Sequence, residues 1–401
     1  MNDYPSNVKE KLNFIISDMA NHHWLFTNRP GHDFMRQNHG KLSFYDTMRL
    51  IIGMGKGNTN DEIMDYFDLD PDRIPSQSAF NQRRSQISLS AFEYLFSEFS
   101  SAFPATTNTF KDHCILACDG CHLVYTTNSE IIEDFNKPHL IDYKGYNHMH
   151  LNGFVDVVSK AFIDVVIQPG QKPDERQALH IMLDHFQPDE QDEFDVTIKR
   201  FLTDKKTNIM RSQSDVYRYM NPSKNIPHFQ QLLNHKHLYF MQFRVIKMKV
   251  AEDSYEYIIT NLPYSFDLED LKTCYHWRWQ IEVAFRYLKH ANGLLYFHSK
   301  KPEYLKQEIY ANLILYNFGV FLANEAIRKN QKKKRRITNK YQYEVDFSSA
   351  LKISRKYFIR GRSSESRIIK LIAKYIHAVK SEFRQFLRPL RGIGAIHFGY
   401  R

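Results

Sequence analysis

Three features are scarce in this 401-residue sequence, and each absence argues against a class of protein. Only four cysteines occur, too few for a disulfide framework, so we expect a reducing compartment. No apolar run of about 18 residues appears, which argues against a transmembrane helix. The first residues, from Met1 to Pro5, lack the basic-then-apolar layout of a signal peptide. Together these absences predict a cytoplasmic protein.

The composition favours a globular chain with a polyanionic partner. Hydrophobic residues make up 42% of the sequence, which is enough for a sizeable core. The length suits roughly two or three domains. A net charge of +10 and a pI of about 9.1 favour a nucleic acid as the partner. A merely basic soluble protein and a protein that binds membrane surfaces are the alternatives.

Three of the cysteines lie close together, at Cys114, Cys118 and Cys121. Cys118 and Cys121 have the spacing of a zinc-binding pair, but no second pair with matching spacing follows. The stretch from Cys114 to Cys118 is apolar. We therefore favour buried thiols in or near a strand over a metal site.

The stretch from Tyr275 to Lys289 carries the most informative pattern in the chain. It contains no Gly or Pro, and its charged residues recur at helical spacing, which predicts a helix. One stripe of that helix combines a phenol, two cations and a carboxylate: Tyr275, Arg278, Lys289 and Glu282. A second stripe would be buried: Trp277, Ile281, Ala284 and Leu288.

A carboxylate flanked by Arg and Lys suits a metal ligand beside phosphate, because the acid holds a cation and the bases hold an anion. On spacing alone, an ordinary helix with surface ion pairs such as Glu282–Arg286 is the favoured interpretation.

The ungapped pattern Tyr275-x2-Arg278-x3-Glu282-x6-Lys289 resembles the signature around the catalytic Glu of DDE insertion-sequence transposases, in the group called "IS-four". Two stretches that follow also resemble that group: Gly293-Leu294-x-x-Phe297-His298-Ser299-Lys300 and Glu308-Ile309-Tyr310-Ala311-x-Leu313-Ile314-x-Tyr316-Asn317. The resemblance implies an α/β fold, namely a ribonuclease-H-like mixed sheet with flanking helices, a β-rich insertion and an N-terminal helical domain.

We expect three parts along the chain. Residues 1–105 form an N-terminal helical, DNA-binding domain. Residues 106–330 form the ribonuclease-H-like transposase domain, with a β-rich insertion over about 190–265. Residues 331–401 form a basic C-terminal helical region, which begins with the charge run Gln331-Lys-Lys-Lys-Arg-Arg336.

Two short helices in the N-terminal part predict a helix-turn-helix reader of DNA. The first spans residues 60–67, and the second spans residues 76–87 with Ser76 as its cap. The second helix carries the polar side chains that would contact DNA: Gln77, Asn81, Gln82, Arg83 and Arg84. A small helical bundle with a polar outer face is the alternative.

The apolar run from Cys114 to Cys118 predicts a strand that ends at Asp119-Gly120. An Asp at a strand end can present a carboxylate at a sheet edge, although a lone Asp-Gly is more often a simple turn. Strands over 143–158 and 161–167 and a helix over 174–185 are predicted next. Strand, strand, strand, helix is how a ribonuclease-H-like fold begins, and the resemblance makes Asp119 the first catalytic Asp.

The sequence departs from the family at the second catalytic Asp. The family usually carries that Asp in Asp-Arg-Gly, and the only Asp-Arg here is Asp72-Arg73, which precedes Asp119. Four later acids lack the context of a strand end: Asp184, Asp189, Asp192 and Asp204. We infer that a stretch holding the second Asp has been lost around residues 186–192.

The chemistry that the resemblance implies is hydrolysis of a phosphodiester, followed by attack of the freed 3′-hydroxyl on target DNA. Two divalent ions, Mg²⁺ with Mn²⁺ as a substitute, would lie about 3.5–4 Å apart. Asp119 and Glu282 would hold them, while Tyr275, Arg278 and Lys289 would contact DNA. The implied partner is double-stranded DNA, both transposon ends and target, with a homodimer on paired ends.

Two alternatives to an active transposase remain. The first is a decayed or repurposed relative that binds DNA without cutting it. The second is a basic structural protein whose resemblance to transposases is incidental.

Overall fold

The structure is a computed structural model that describes most, but not all, of the chain. The described residues are 7–34, 42–103, 110–111, 115–136, 145–171, 173–175, 177–178, 181–182, 198–203, 217–219, 237–251, 254–260, 262, 265–331 and 342–379. They divide into two compact units, residues 1–187 with 277–401, and residues 188–276. The three-part division expected from the sequence stays a prediction.

The first unit begins with five helices: α1 (Val8–Asn21), α2 (Phe44–Gly53), α3 (Thr59–Tyr66), α4 (Gln77–Arg84) and α5 (Leu89–Ser101). The predicted cap of α4 is confirmed, because the Ser76 hydroxyl accepts a hydrogen bond from the Ala79 N–H at 3.2 Å. The cap of α3 is Asn58, and its side chain accepts from the Asp61 N–H. Both side chains satisfy amides that have no partner within the helix.

A four-stranded antiparallel sheet follows: β1 (Leu116–Tyr125), β2 (Phe135–Asn136), β3 (Tyr146–Asp156) and β4 (Phe162–Pro169). Strand β3 pairs with each of the other three. The predicted hairpin of two strands is therefore confirmed. The prediction that the first strand ends at Asp119 is wrong, because β1 continues to Tyr125 and pairs with β3 along its whole length.

The second unit contains a separate sheet of four strands: β5 (Ile198–Thr203), β6 (Tyr217–Tyr219), β7 (Leu238–Ala251) and β8 (Ser254–Thr260). Their order is β6-β5-β7-β8. Strands β7 and β8 pair antiparallel. Helix α6 (Leu268–Trp277) then leads back to the first unit.

The first unit continues with α7 (Trp279–Arg286), a π-helical turn (Tyr287–Ala291) and the long helix α8 (Pro302–Gln331). Apolar residues recur on α8 at roughly helical spacing, and they are inaccessible to solvent: Leu305, Ile309, Leu313, Tyr316 and Phe318. Asn317 joins α8 to the sheet, because its side chain donates to the Phe162 carbonyl at 2.7 Å and accepts from the Phe162 N–H at 2.9 Å.

Three elements complete the described chain after β9 (Gln342–Val345): α9 (Phe347–Arg360), α10 (Glu365–Ile372) and β10 (Ile376–Val379). Strands β9 and β10 pair antiparallel, and α9 packs against α8 and α2. The expected α/β class is confirmed. The basic run at 332–336 and the tail after residue 379 lie outside the described residues.

Although α8 is 30 residues long, none of the helices in the described ranges combines enough length and apolar character to cross a membrane.

Candidate active site

Asp119 lies in the middle of β1 and not at a strand end. It is half-buried, and its register partner on β3 is Gly153. A Cβ on Gly153 would lie 3.0 Å from the Phe162 ring and 3.7 Å from the Phe285 ring of α7. Because register partners share a face of a sheet, Asp119 projects from the face that α7 covers.

The structure brings Lys289 to the same face. Lys289 forms a hydrogen bond with the thiol of Cys121, which lies two residues after Asp119 on β1. Burial raises the pKa of the Cys121 thiol to about 11, Lys289 opposes that shift, and Asp119 adds to it. Asp119, Cys121 and Lys289 therefore lie together, although no sequence pattern joined the cysteine to the other two.

The helix predicted from Tyr275 to Lys289 is not a single α-helix. Helix α6 ends at Trp277 and α7 starts at Trp279, with Arg278 between them in helical backbone geometry (φ −48°, ψ −35°). The α-helical pattern then changes into the π-helical turn, in which the Asn292 N–H donates to the Tyr287 carbonyl at 2.9 Å.

The π-helical turn changes the angle between Lys289 and Glu282. A π turn closes its hydrogen bond over five residues, so side chains within it are rotated away from the ideal 100° spacing. Single π turns inside helices occur often at functional sites. The predicted stripe is therefore corrected at Lys289, which the turn directs toward Cys121 of β1.

Glu282 is half-buried and belongs to the first turn of α7. Ile281, Ala284 and Leu288 of the predicted apolar stripe are buried, and Trp277 is half-buried against the Phe110 ring. The apolar side of this helix is therefore confirmed.

The structure describes the side chain of Arg278 but not that of Tyr275. Arg278 is exposed, and its guanidinium lies 4.7 Å from the centre of the Trp279 ring. Tyr275 belongs to the second unit, and its side chain lies outside the described residues. Contact of either residue with DNA stays a prediction.

Within the described ranges, no three His, Cys, Asp or Glu side chains come together in a way that could hold a metal ion. Asp119 and Glu282 are the kind of oxygen ligand that Mg²⁺ prefers, but two carboxylates alone do not complete a two-metal site. The four acids considered as substitutes, Asp184, Asp189, Asp192 and Asp204, lie outside the described residues.

The predicted DNA-reading role of Arg84 is wrong. Arg84 is only 1% exposed, and its guanidinium forms an ion pair with Glu308 of α8 at 2.8 Å. It also donates to the Tyr304 carbonyl at 2.6 Å and to the Gln307 side chain at 3.1 Å. The other polar residues of α4 remain available at the surface: Gln77, Asn81 and Gln82 are exposed, and Arg83 is half-buried.

The two cysteines of the zinc-like pair project from opposite faces of β1, because they are three positions apart and side chains alternate along a strand. They cannot bind one metal ion. Cys118 is exposed, so the prediction that it is buried is wrong, and Cys114 lies outside the described residues.

A cluster of three histidines occupies the face of the sheet opposite Asp119. The Nδ1 atoms of His122 and His150 are 3.5 Å apart, and the rings of His122 and His148 are 4.9 Å apart at their centres. His150 Nε2 lies 3.3 Å from the Glu175 carboxylate. Sequence reasoning missed this cluster, although His148-Met-His150 has the period of two that places side chains on one face of a strand.

The packing around position 120 explains why a glycine follows Asp119. A Cβ at this position would clash with the side chains of His150, Asn152 and Glu175. The glycine is required by this close approach and not by a turn.

We expect the stability of the protein to fall as the pH drops below 6.5. Burial lowers the pKa of His122, and neighbouring His150, His148 and Lys289 lower it further. Burial also lowers the pKa of His148, although a hydrogen bond to Gly170 and the charge of Asp134 oppose the shift. Because the unfolded chain binds protons on these side chains at higher pH than the folded chain does, acid favours unfolding.

Urea unfolding of the wild type and of His122→Asn between pH 5 and 8 measures this effect. The free energy of unfolding of the wild type should decline below pH 6.5, and the variant should decline less steeply. Equal slopes in the two proteins would contradict the assignment of this pH dependence to the cluster.

Comparison with known proteins finds transposases. Residues 111–318, slightly more than half of the chain, match the family described as "Transposase DDE domain". Over 87 residues the chain is 34% identical to the putative transposase InsL of insertion sequence element IS186A from Escherichia coli (strain K12). The same identity and length hold for the transposase of insertion sequence element IS421 from Escherichia coli.

These alignments are partial. Each covers 21% of this chain and 22% of the relative, so the chain matches about a fifth of the length of the curated relatives. The cryo-EM structure of the piggyBac transposase synaptic complex with hairpin DNA aligns over 93% of this chain and 86% of that chain, at 10% identity. Its TM-score of 0.39 is too low to indicate a common fold.

Proposed function

Because this chain belongs to the transposase DDE domain family, we propose that it cuts a phosphodiester bond of double-stranded DNA and transfers the freed 3′ end to target DNA. It would do so as the transposase of an insertion sequence. The observation that supports this proposal is the meeting of Asp119 and Lys289, from distant parts of the chain, on the sheet face covered by the helix that carries Glu282.

Each residue of this site has a role that its chemistry suits. Asp119 and Glu282 supply the carboxylates. Lys289 is a compact cation that holds a phosphate oxygen beside Asp119. Arg278 binds a neighbouring phosphate, and Tyr275 stacks or hydrogen-bonds at the flank of the cut.

Transposase DDE domains generally use divalent metal ions. For this chain we propose Mg²⁺, with Mn²⁺ as a substitute, held by Asp119 and Glu282. A divalent ion at these oxygens would activate the nucleophile and stabilise the leaving oxygen. Since the described residues supply no third ligand, they do not fit a complete two-metal site.

The fold that we propose for residues 106–330 is ribonuclease-H-like. The antiparallel order of β1, β3 and β4, with β3 in the middle, supports this proposal. Membership of the "IS-four" group, the three-part division of the chain and a homodimer on paired transposon ends are further proposals that rest on the signature Tyr275, Arg278, Glu282 and Lys289.

A second candidate function is DNA binding without cutting. It is favoured by one observation, namely that no third carboxylate joins Asp119 and Glu282 within the part of the chain that the structure describes. Loss of a ligand would impair catalysis more than binding, because binding depends on cationic side chains.

The experiment that tests the proposal measures binding and cutting in one sample. The full chain is incubated with a labelled plasmid that carries the ends of its own element, in Mg²⁺ and then in Mn²⁺. Nicks at the element ends support the transposase. Binding at the ends without nicks supports the second candidate. Failure to bind these ends more tightly than unrelated DNA contradicts both.

A further inference from the structure

Two segments that are distant in sequence meet beside the π-helical turn. They are residues 53–58, from the end of α2 to the start of α3, and residues 290–301, from the end of the turn to the start of α8. Lys56 Nζ donates to the His290 carbonyl at 2.7 Å, and His298 Nε2 lies 3.1 Å from the Gly57 carbonyl. Gly293 has a φ of +97°, and a Cβ there would lie 3.3 Å from Lys56, so glycine is favoured at this contact.

The loop at 53–58 is held in place by contacts from α9 and α3. Arg355 of α9 donates to the Gly53 carbonyl at 2.9 Å and forms an ion pair with Glu62 at 2.6 Å. The other carboxylate oxygen of Glu62 accepts from the Gly57 N–H at 2.8 Å. Since Glu62 is buried and paired, it contributes little negative potential to the surface.

The segment at 290–301 is fixed in the same way. The His298 N–H donates to the buried carboxylate of Glu308 at 2.8 Å, and Glu308 is paired with Arg84. Two segments held by ion-paired, buried carboxylates form a surface whose shape is set before any ligand binds, which lowers the entropy lost on binding.

The outer side of these segments is basic. Lys56, His290, Lys300 and Lys301 are exposed, and we call them the Lys56–Lys301 surface. No Asp or Glu occurs between Glu282 and Glu303, nor between Asp46 and Asp61.

Aromatic rings lie beneath two of these cations. Lys56 Nζ is 5.2 Å from the centre of the Tyr296 ring, and Lys301 Nζ is 5.5 Å from the centre of the Tyr304 ring. A ring beneath a lysine attracts the ammonium group by a cation–π contact and helps to position it at the surface.

We propose that the Lys56–Lys301 surface binds the backbone phosphates of duplex DNA. This surface lies beside the π-helical turn that carries Lys289. This inference rests on the proposed function and adds contacts that the signature residues do not include. Phosphate contacts by lysine fix the position of DNA without reading its sequence. The bound duplex would run from the Asp119 site across this basic surface, so that the strand is held while it is cut.

The test compares two triple variants of the full chain. The first removes three charges from the surface: Lys56→Gln, Lys300→Gln and Lys301→Gln. The matched control removes three exposed lysines from other helices or their ends: Lys329→Gln, Lys370→Gln and Lys374→Gln. Because Lys56 also donates to His290, the pair Lys300→Gln and Lys301→Gln, which leaves that hydrogen bond intact, shows whether a loss comes from charge or from loop structure.

The measurement is the Kd for a labelled duplex as a function of KCl concentration. For the surface triple variant, we expect binding weakened by at least about ten-fold near 0.1 M salt. Each lost contact should reduce the magnitude of the log–log salt slope by about 0.9. The control should stay close to the wild type.

The outcomes separate the two proposals. If the wild type binds DNA and both triple variants bind with the wild-type affinity and slope, the surface proposal is wrong while the proposed function stands. Equal losses in both variants would also overturn the surface, since they would show a general charge effect. If the wild type does not bind duplex DNA, both proposals fail.

Discussion

Replacing Glu308 with glutamine lowers the free energy of unfolding by about 3–5 kcal/mol, because it leaves the Arg84 guanidinium charged, buried and unpaired. Arg84 is 1% exposed and Glu308 is 2% exposed. The carboxylate accepts from Arg84 at 2.8 Å and from the His298 N–H at 2.8 Å. Urea unfolding of the two proteins at pH 7 measures the difference.

The matched control lies on the same helix. Glu325 of α8 is paired with Arg328 at 2.8 Å, but this ion pair is at the surface. Surface pairs contribute little, since water screens them and the side chains lose entropy. We expect Glu325→Gln to have nearly the same free energy of unfolding as the wild type. A loss at Glu325 as large as the loss at Glu308 would contradict the explanation from burial.

The effect of Glu308→Gln also depends on pH. Burial opposes ionisation of Glu308, but Arg84 and the hydrogen bonds from His298 outweigh it and hold the pKa of the carboxyl below its usual value of 4.5. A lowered pKa stabilises the fold above the unfolded value, and this contribution disappears as the pH falls through the folded value. The difference in the free energy of unfolding between wild type and variant should therefore shrink only below pH 4.5.

Replacing Asp119 with asparagine, or Glu282 with glutamine, lowers the rate of DNA cleavage by at least about 10³-fold, the scale of losing one group that acts in the transition state. Both changes keep the size of the side chain and remove its charge. Because the two carboxylates act as one unit, the double variant should be no slower than either single variant. Single-turnover cleavage of end-labelled DNA measures all three.

A control on the same sheet separates this effect from damage to the fold. Asp164 of β4 pairs in register with Phe154, which places it on the face opposite Asp119. We expect Asp164→Asn to cut at close to the wild-type rate. If the fold-reduction in cleavage rate of the double variant equals the product of the two single reductions, the result would contradict a shared site.

Much of the local structure could be predicted from the sequence, because it follows from periodicity. Helix α8 repeats apolar residues at helical spacing, and those residues are buried. Strand β3 carries apolar Met149, Leu151 and Val155 at even spacing, and it forms the predicted hairpin with β4 across a short turn. In each case the periodic apolar residues specify the element and its buried side.

The placement of Asp119 could not be predicted in this way. Asp119-Gly120 has the composition of a turn, yet β1 passes through it because the whole ladder from Leu116 to Tyr125 is satisfied by β3. Tertiary pairing outweighs the weak local preference of an Asp-Gly pair. The glycine is needed for a close approach from His150, which only the folded sheet reveals.

The surroundings of the candidate site were also beyond the reach of pattern reasoning. Arg84 and Glu308 are 224 positions apart, and Arg84 lies in a polar helix that predicts an exposed side chain. The π-helical turn that redirects Lys289 depends on packing and not on a residue type. Contacts of this kind are set by the meeting of distant segments, whereas periodicity reports only on each segment by itself.

Sequencing the products of strand transfer tests the central claim most directly. The full chain is incubated with Mg²⁺, a plasmid that carries its element ends and a second plasmid as target. Junctions between the two plasmids are then amplified and sequenced. We expect the wild type to form junctions in which the 3′ ends of the element are joined to target DNA. Asp119→Asn and Glu282→Gln should form no such junctions. Junctions formed equally well by these variants, or no junctions from a wild-type protein that binds the ends, would contradict the central claim.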